Sequence, residues 1–146
     1  MKKIYRNFIS QEDLDKENIF TIGGRKFKVL ETSRDSMAYK VINAIKEDFN
    51  FSVKDESYWR VEERSGGHQW HKDTGSSNHM MWCEVGVSII LKKSASGGDT
   101  YSSDNAEGLN AEKVDRDLFD LVVHTSDEWH MVEPNSGGRI VFLMFI

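Results

Sequence analysis

Three side chains with metal-ligand chemistry and one guanidinium stand out by type and spacing. His71 and Asp73 are two apart in the segment HKD. In an extended chain residues i and i+2 point to the same side, so an imidazole and a carboxylate there converge on one point. A third ligand must come from elsewhere. His130 is the leading candidate, because it stands in a strand-like context nine residues before Arg139. Two His and one carboxylate on one face form the set that holds non-haem Fe(II) and leaves coordination positions open for a chelating cosubstrate and dioxygen. His-x-Asp alone is a weak signal, since surface pairs of this kind are common. Its weight comes from the order that follows: a strand, then Gly97-Gly98-Asp99, then His130-x-Val132-x-Pro134, then Gly138-Arg139.

These residues need a rigid frame, and the pattern of the chain suggests one. Residues 20–31 read as a hairpin around Gly23-Gly24. Ser33 is a plausible N-cap for a helix on which Met37, Val41, Ile45 and Phe49 recur every four residues, an amphipathic pattern suited to covering a sheet. After it the period changes to two. Residues 58–63, 82–91, 99–103, 119–125, 131–133 and 139–146 read as strands, and 110–118 as a helical turn. The last strand, RIVFLMFI, is apolar on both faces and is expected to be buried. One early helix followed by six or more strands predicts a mainly β fold, an antiparallel sandwich or barrel with a helix packed outside. Four Gly doublets punctuate it.

Composition narrows the function classes. The 146 residues form one domain by length, and 38% hydrophobic content is globular. A single cysteine, Cys83, excludes a disulfide framework and any Cys-based zinc cluster. The N-terminal MKKIYRNFIS lacks the apolar core of a signal peptide, and no apolar stretch is long enough for a membrane span. A soluble cytoplasmic protein with no membrane partner is the expectation. The net charge of −5 argues against a nucleic-acid backbone binder. No oligomeric state is read from the sequence.

Taken together, HKD at 71–73, SIILKKSASGGDTYSS at 88–103 and HMVEPNSGGRIVFLMF at 130–145 resemble the Fe(II)/2-oxoglutarate-dependent dioxygenases, and within them the prolyl-4-hydroxylase-like branch. The resemblance covers roughly residues 58–146. It implies a double-stranded β-helix, a jelly roll, with the early helix as support. It implies that His71, Asp73 and His130 are iron ligands and that Arg139 pairs with the distal carboxylate of 2-oxoglutarate. A guanidinium suits that task, since it binds a carboxylate bidentately and stays charged when buried. The alternative for Arg139 is a salt bridge to a neighbouring Asp or Glu. The family also places a residue beside 2-oxoglutarate at Thr100 and an aromatic near the substrate at Phe145. Implied cofactors are Fe(2+), 2-oxoglutarate and O2, with ascorbate keeping the iron reduced. The implied reaction is hydroxylation of a C–H bond, with a peptidyl prolyl or other amino-acid side chain as substrate and succinate and CO2 as products.

The sequence also departs from the branch. His68 stands where a Tyr usually precedes the first iron ligand by three residues. Ser88, Ile89 and Ile90 occupy the stretch where relatives often carry a cosubstrate-binding Tyr, and Val141 stands where some carry Ser. These departures concern the cosubstrate contacts and the assignment to proline. Two competing functions are the same chemistry on a nucleobase or small metabolite and a non-catalytic metal-binding jelly-roll module.

Several residues have two readings. His79, in GSSNHMMW, touches substrate or belongs to a solvated loop over the site. Arg60 and Arg64 face a carboxylate-bearing substrate or solvent. His124 reads as a strand residue with a satisfied hydrogen bond, and Cys83 as buried and inert. Trp59, Trp70, Trp82 and Trp129 read as core aromatics. Trp70 and Trp129 are expected to pack behind the site, because each adjoins a candidate ligand.

Overall fold

The period-two segments form strands, and their alternation separates an apolar face from a polar one. The computed structural model describes residues 1–21, 23–74 and 79–146. In chain order the elements are β1 (Lys2–Tyr5), α1 (Gln11–Glu17), β2 (Phe27–Lys28), α2 (Met37–Ile45), β3 (Tyr58–Arg64), β4 (His68–His71) and β5 (Val85–Lys92). There follow β6 (Ser96–Gly97), β7 (Thr100–Ser103), β8 (Glu112–Lys113), β9 (Leu121–Thr125), β10 (Trp129–Val132), β11 (Asn135–Ser136) and β12 (Arg139–Phe145). A major sheet runs in the order β1-β9-β5-β12-β3-β2, a minor sheet in the order β4-β10-β7-β8, and β6 pairs with β11. The strand pairs are antiparallel. This is the jelly-roll architecture expected from the sequence.

The major sheet is covered by the helices on one side. Val61, Val87, Ile89, Leu121, Phe142 and Met144 join Leu14, Val41 and Ile45 in one buried cluster. Trp59 stacks between Phe27 and Phe142 and donates from Nε1 to Thr32 Oγ1 at 3.0 Å. The opposite face carries Arg60, Glu62, Arg64, Ser88, His124, Arg139, Val141 and Leu143, which line a cavity. Strand β12 is therefore sided, with an apolar row toward the helices and a mixed row toward the site.

Several local expectations are corrected. Among the described residues, 20–31 form no hairpin of two strands: Ile19–Thr21 is a 3-10 turn, and β2 pairs with β3. Burial of Ile19 and Val29 against the helices wins over the turn signal of the Gly pair. Residue 22 lies outside the described residues. The helix starts at Met37, not after Ser33; Glu17 Oε1 accepts from the Met37 N–H at 2.6 Å and so caps the helix from another element. Helix α1 itself was not expected. It has few apolar residues, but Ser10 and Asp13 form a reciprocal capping box at its start. Residues 110–118 are not a helical turn: β8 pairs with β7, and Val114 donates its N–H to Thr100 O at 2.8 Å. Burial of Val114 between the sheets overrides helix propensity there.

Phe142 is fully buried where helices and sheet meet. Phe142→Ala is expected to cost about 3–5 kcal/mol, read as a lowered urea midpoint with an unchanged denaturant slope.

Candidate active site

The antiparallel register brings the first candidate ligands together. His71 on β4 and His130 on β10 are direct cross-strand partners, and their ring centroids lie 4.2 Å apart. Asp73 does not arrive by strand alternation, as the sequence suggested. β4 ends at His71, and the chain bends so that the Asp73 N–H bonds Ser126 O at 3.2 Å. Ligand-type atoms of His71, Asp73 and His130 then lie within 4.8 Å of one another.

Hydrogen bonds fix how the rings face. His71 Nδ1 lies 2.7 Å from Gln69 O, and His130 Nδ1 lies 2.9 Å from Glu128 O. A carbonyl accepts, so Nδ1 holds a proton in each ring and Nε2 is the nitrogen turned to the centre; without a metal, His130 Nε2 also carries a proton toward Asp73. Asp73 is buried, with Oδ1 3.4 Å from His130 Nε2 and Oδ2 3.6 Å from His124 Nε2. Asp73 Oδ2 has no hydrogen-bond partner. An orphaned buried carboxylate oxygen beside two imidazole Nε2 atoms is a set that, with those nitrogens deprotonated, fits a divalent transition metal.

The carboxylate needs room behind it. Gly86 on β5 pairs with His124 on β9. A Cβ at Gly86 would run into Asp73 Oδ2 and would lie 2.5 Å from His124 Cε1.

Electrostatics follow from this packing. Burial alone would raise the Asp73 pKa, but the hydrogen bond from His130 and the charges of the three imidazoles bring it below the usual value. Burial alone would lower that of His130, and its bond to Asp73 lifts it above 6.5 instead. His71 and His124 are both lowered, chiefly by burial. His68, beside His71 at 4.9 Å, is lowered to about 4 by burial and then by Arg64.

The cluster sits in a cavity of about 500 Å³ between the sheets. Arg139 lies at its far end, buried, with no ion pair among the described residues and with Nε lacking a hydrogen-bond partner. The salt-bridge alternative for Arg139 is thus not what the structure holds; Glu62 acts on it only through its charge. Gly98 makes space for it: its φ is +82°, and a Cβ there would lie 3.1 Å from Arg139 Cδ. Thr100 Oγ1 is buried nearby without a partner. Phe145 lines the other end and packs on Tyr58 with ring centroids 5.3 Å apart. Arg64 lines the cavity while donating to Gly66 O and Gly67 O at 3.1 Å each. His79 is exposed yet also borders the cavity, and residues 75–78 of its segment lie outside the described residues.

Other readings resolve as follows. Trp70 packs against Gly108, and Trp129 lies under Lys72 Nζ at 5.3 Å; neither lines the cavity. Cys83 is buried, and its thiol is pushed up to about 12 by burial and then by the charge of Asp73, which makes it inert. His124 does bond Thr125 O through Nδ1 at 3.0 Å, but it also joins the cluster, 4.5 Å from the His130 ring. Arg116 was missed altogether. It lines the cavity with its guanidinium bonded to Ser88, from within a charged segment that offered no signal in the sequence.

The architecture defines the class of fold first: a double-stranded β-helix of the kind found in Fe(II)/2-oxoglutarate oxygenases and prolyl hydroxylases. The chain matches a Pseudomonas putida prolyl-4-hydroxylase with a TM-score of 0.66 and 13% identity, over 99% of this chain and 84% of that one. It matches HygX from Streptomyces hygroscopicus, solved with nickel and 2-oxoglutarate bound, at 0.63 and 9% identity, over 99% and 80% of the two chains. It also matches a Trichoplax adhaerens prolyl hydroxylase, solved with a hypoxia inducible factor peptide fragment, at 0.56 and 14%, over 99% and 82%. No protein-family model and no curated protein matches the sequence, so the likeness is one of fold.

Two predictions follow from the packing and charge. Gly86→Ala should overpack the carboxylate and destabilise the protein by about 1–3 kcal/mol, measured by urea denaturation. The second concerns pH in the metal-free protein. Three histidines have folded pKa values below 6.5, so the unfolded state binds more protons, and stability is full above about 6.5 and lost as pH falls toward about 4. His130 acts in the opposite sense, its contribution being lost as pH rises through its elevated value. Urea midpoints in EDTA should therefore drop between pH 7.5 and 5; flat midpoints would contradict the charge assignment.

Proposed function

We propose that this chain is an Fe(II)- and 2-oxoglutarate-dependent oxygenase that hydroxylates a C–H bond. The observation that carries this reading is the placing of a His71-Asp73-His130 donor set and an unpaired buried Arg139 in one cavity. A site that only held a metal for structure has no use for that cation.

In this reading His71, Asp73 and His130 hold Fe(II). When bound, the metal supplies dioxygen activation coupled to oxidative decarboxylation of 2-oxoglutarate, with the overall change R–H + 2-oxoglutarate + O2 to R–OH + succinate + CO2. The chain's own residues orient and enclose. Arg139 pairs with the distal carboxylate of 2-oxoglutarate, and the Thr100 hydroxyl adds a donor. Val114, Val132, Val141 and Leu143 line the space between, where apolar walls exclude water and strengthen that ion pair. Gln69 O and Glu128 O keep the two imidazoles in the ligating tautomer.

The substrate is a peptidyl prolyl or another amino-acid side chain, presented at the Tyr58–Phe145 end beside His79; Arg64, the register partner of Arg139, borders the cosubstrate end instead. The fold shared with prolyl hydroxylases, one of them solved with a peptide, supports a peptide partner. Ascorbate as a reductant, a single oxygenase domain over residues 1–146 and a cytoplasmic location complete the proposal. No described helix is long and apolar enough to cross a membrane.

Anaerobic addition of Fe(II) and 2-oxoglutarate should give a weak visible charge-transfer band. His130→Ala should abolish it, and Arg139→Gln should raise the 2-oxoglutarate concentration needed for it by at least about tenfold. No band in the intact protein, together with no succinate formed in air, would sink the reading. Mass spectrometry for +16 products in peptide pools identifies the substrate.

A further inference from the structure

A second guanidinium faces the same end of the cavity as Arg139. Arg116 lies between β8 and β9, lines the main cavity, and shares a smaller adjoining cavity of about 110 Å³ with Arg139 and Thr100. Its partners are neutral. Nη1 donates to Ser88 Oγ at 2.7 Å, and Nη2 donates to Ser88 O at 3.0 Å and Asp120 O at 3.4 Å. Arg116 Nε is buried without an acceptor, as are Arg139 Nε and Thr100 Oγ1. Asp120, the acid whose charge acts on Arg116, is already taken by Arg6 Nη1 at 2.8 Å and by the N–H groups of Asn7 and Asp117 at 2.9 Å each. Burial and the charge of Arg139 push the Arg116 pKa down to about 9, which still leaves it cationic at neutral pH. Glu62 and Asp120 act on the pair through their charge but form no ion pair with either guanidinium among the described residues, and two buried like charges held so are costly unless an anion belongs between them.

We propose that Arg116 is a second anchoring cation of the cosubstrate site, sharing with Arg139 the distal carboxylate of 2-oxoglutarate, and that Ser88 is its positioning residue. The inference rests on the function proposed above. A carboxylate has acceptor sites enough for two guanidinium groups. Ser88 occupies the strand position from which its hydroxyl and carbonyl both hold Arg116, without neutralising it.

The test is equilibrium dialysis of the Mn(II)-loaded protein with 2-oxoglutarate and with 2-oxobutyrate. The second keeps the chelating 2-oxo acid and lacks the distal carboxylate. Arg116→Gln should weaken 2-oxoglutarate binding about 10- to 100-fold and leave 2-oxobutyrate within about twofold. Ser88→Ala should show a smaller loss of the same selective kind, and it carries the test if the glutamine variant does not fold. Equal weakening of both ligands, or of neither, makes Arg116 a tie between its loop and β5 and overturns the proposal. A wild-type protein that binds neither ligand overturns the functional reading as well.

Discussion

A buried carboxylate among imidazoles is the constraint on which this site depends. Asp73 is nearly without solvent contact, and the hydrogen bond from His130 is the first of the interactions that hold its pKa down against burial. Its position needs a bend after β4, a glycine on β5 and two cross-strand histidines, so three segments far apart in the chain must agree. The hydrogen bonds that the Nδ1–H groups donate to Gln69 O and Glu128 O set the ring tautomers, and those carbonyls come from the same strand or from the turn just before it. The two histidines are thus placed by sheet register, and Asp73 by the bend that follows β4.

The major sheet divides two jobs between its faces. One face is an apolar cluster with the helices and supplies stability. The other carries charged and titratable residues into a cavity, where they destabilise the sheet unless their partners are in place. Strand β12 shows the division within seven residues: Phe142 and Met144 anchor it, while Arg139, Val141 and Leu143 face the site. Covering one face so thoroughly allows the other to hold groups that a sheet exposed on both sides could not position.

How far the sequence foretold this differs by residue. The strands were legible because the patterns over β3, β5 and β12 are long and strong, and the jelly-roll class through the family resemblance of the spaced motifs. His71, Asp73, His130 and Arg139 were legible as a spaced set, and the fold brings them into one cavity. The hairpin at 20–31 was misread because local Gly signals say nothing about the helix packing that captures Ile19 and Val29. Helix α1 was missed because a seven-residue helix with one buried apolar residue, Leu14, has too little periodicity to detect. Arg116 and His124 were missed as site residues because each becomes one only through contacts with distant segments, Ser88 for the first and Asp73 for the second. Gly86 looked like any glycine inside a strand until the carboxylate behind it was visible.

The pair of guanidinium groups at the end of the cavity also affects folding. Arg116 and Arg139 repel each other, and Glu62 and Asp120 offset that repulsion only through their charge, with no ion pair to either guanidinium among the described residues, so it remains a term against the compact state. An anion that binds between them is present only in the folded protein, so by mass action it shifts the folding equilibrium as well as filling a site. Under the function proposed above, the folded fraction of the chain would rise with the supply of 2-oxoglutarate, and a metabolite pool would become part of what keeps the protein folded.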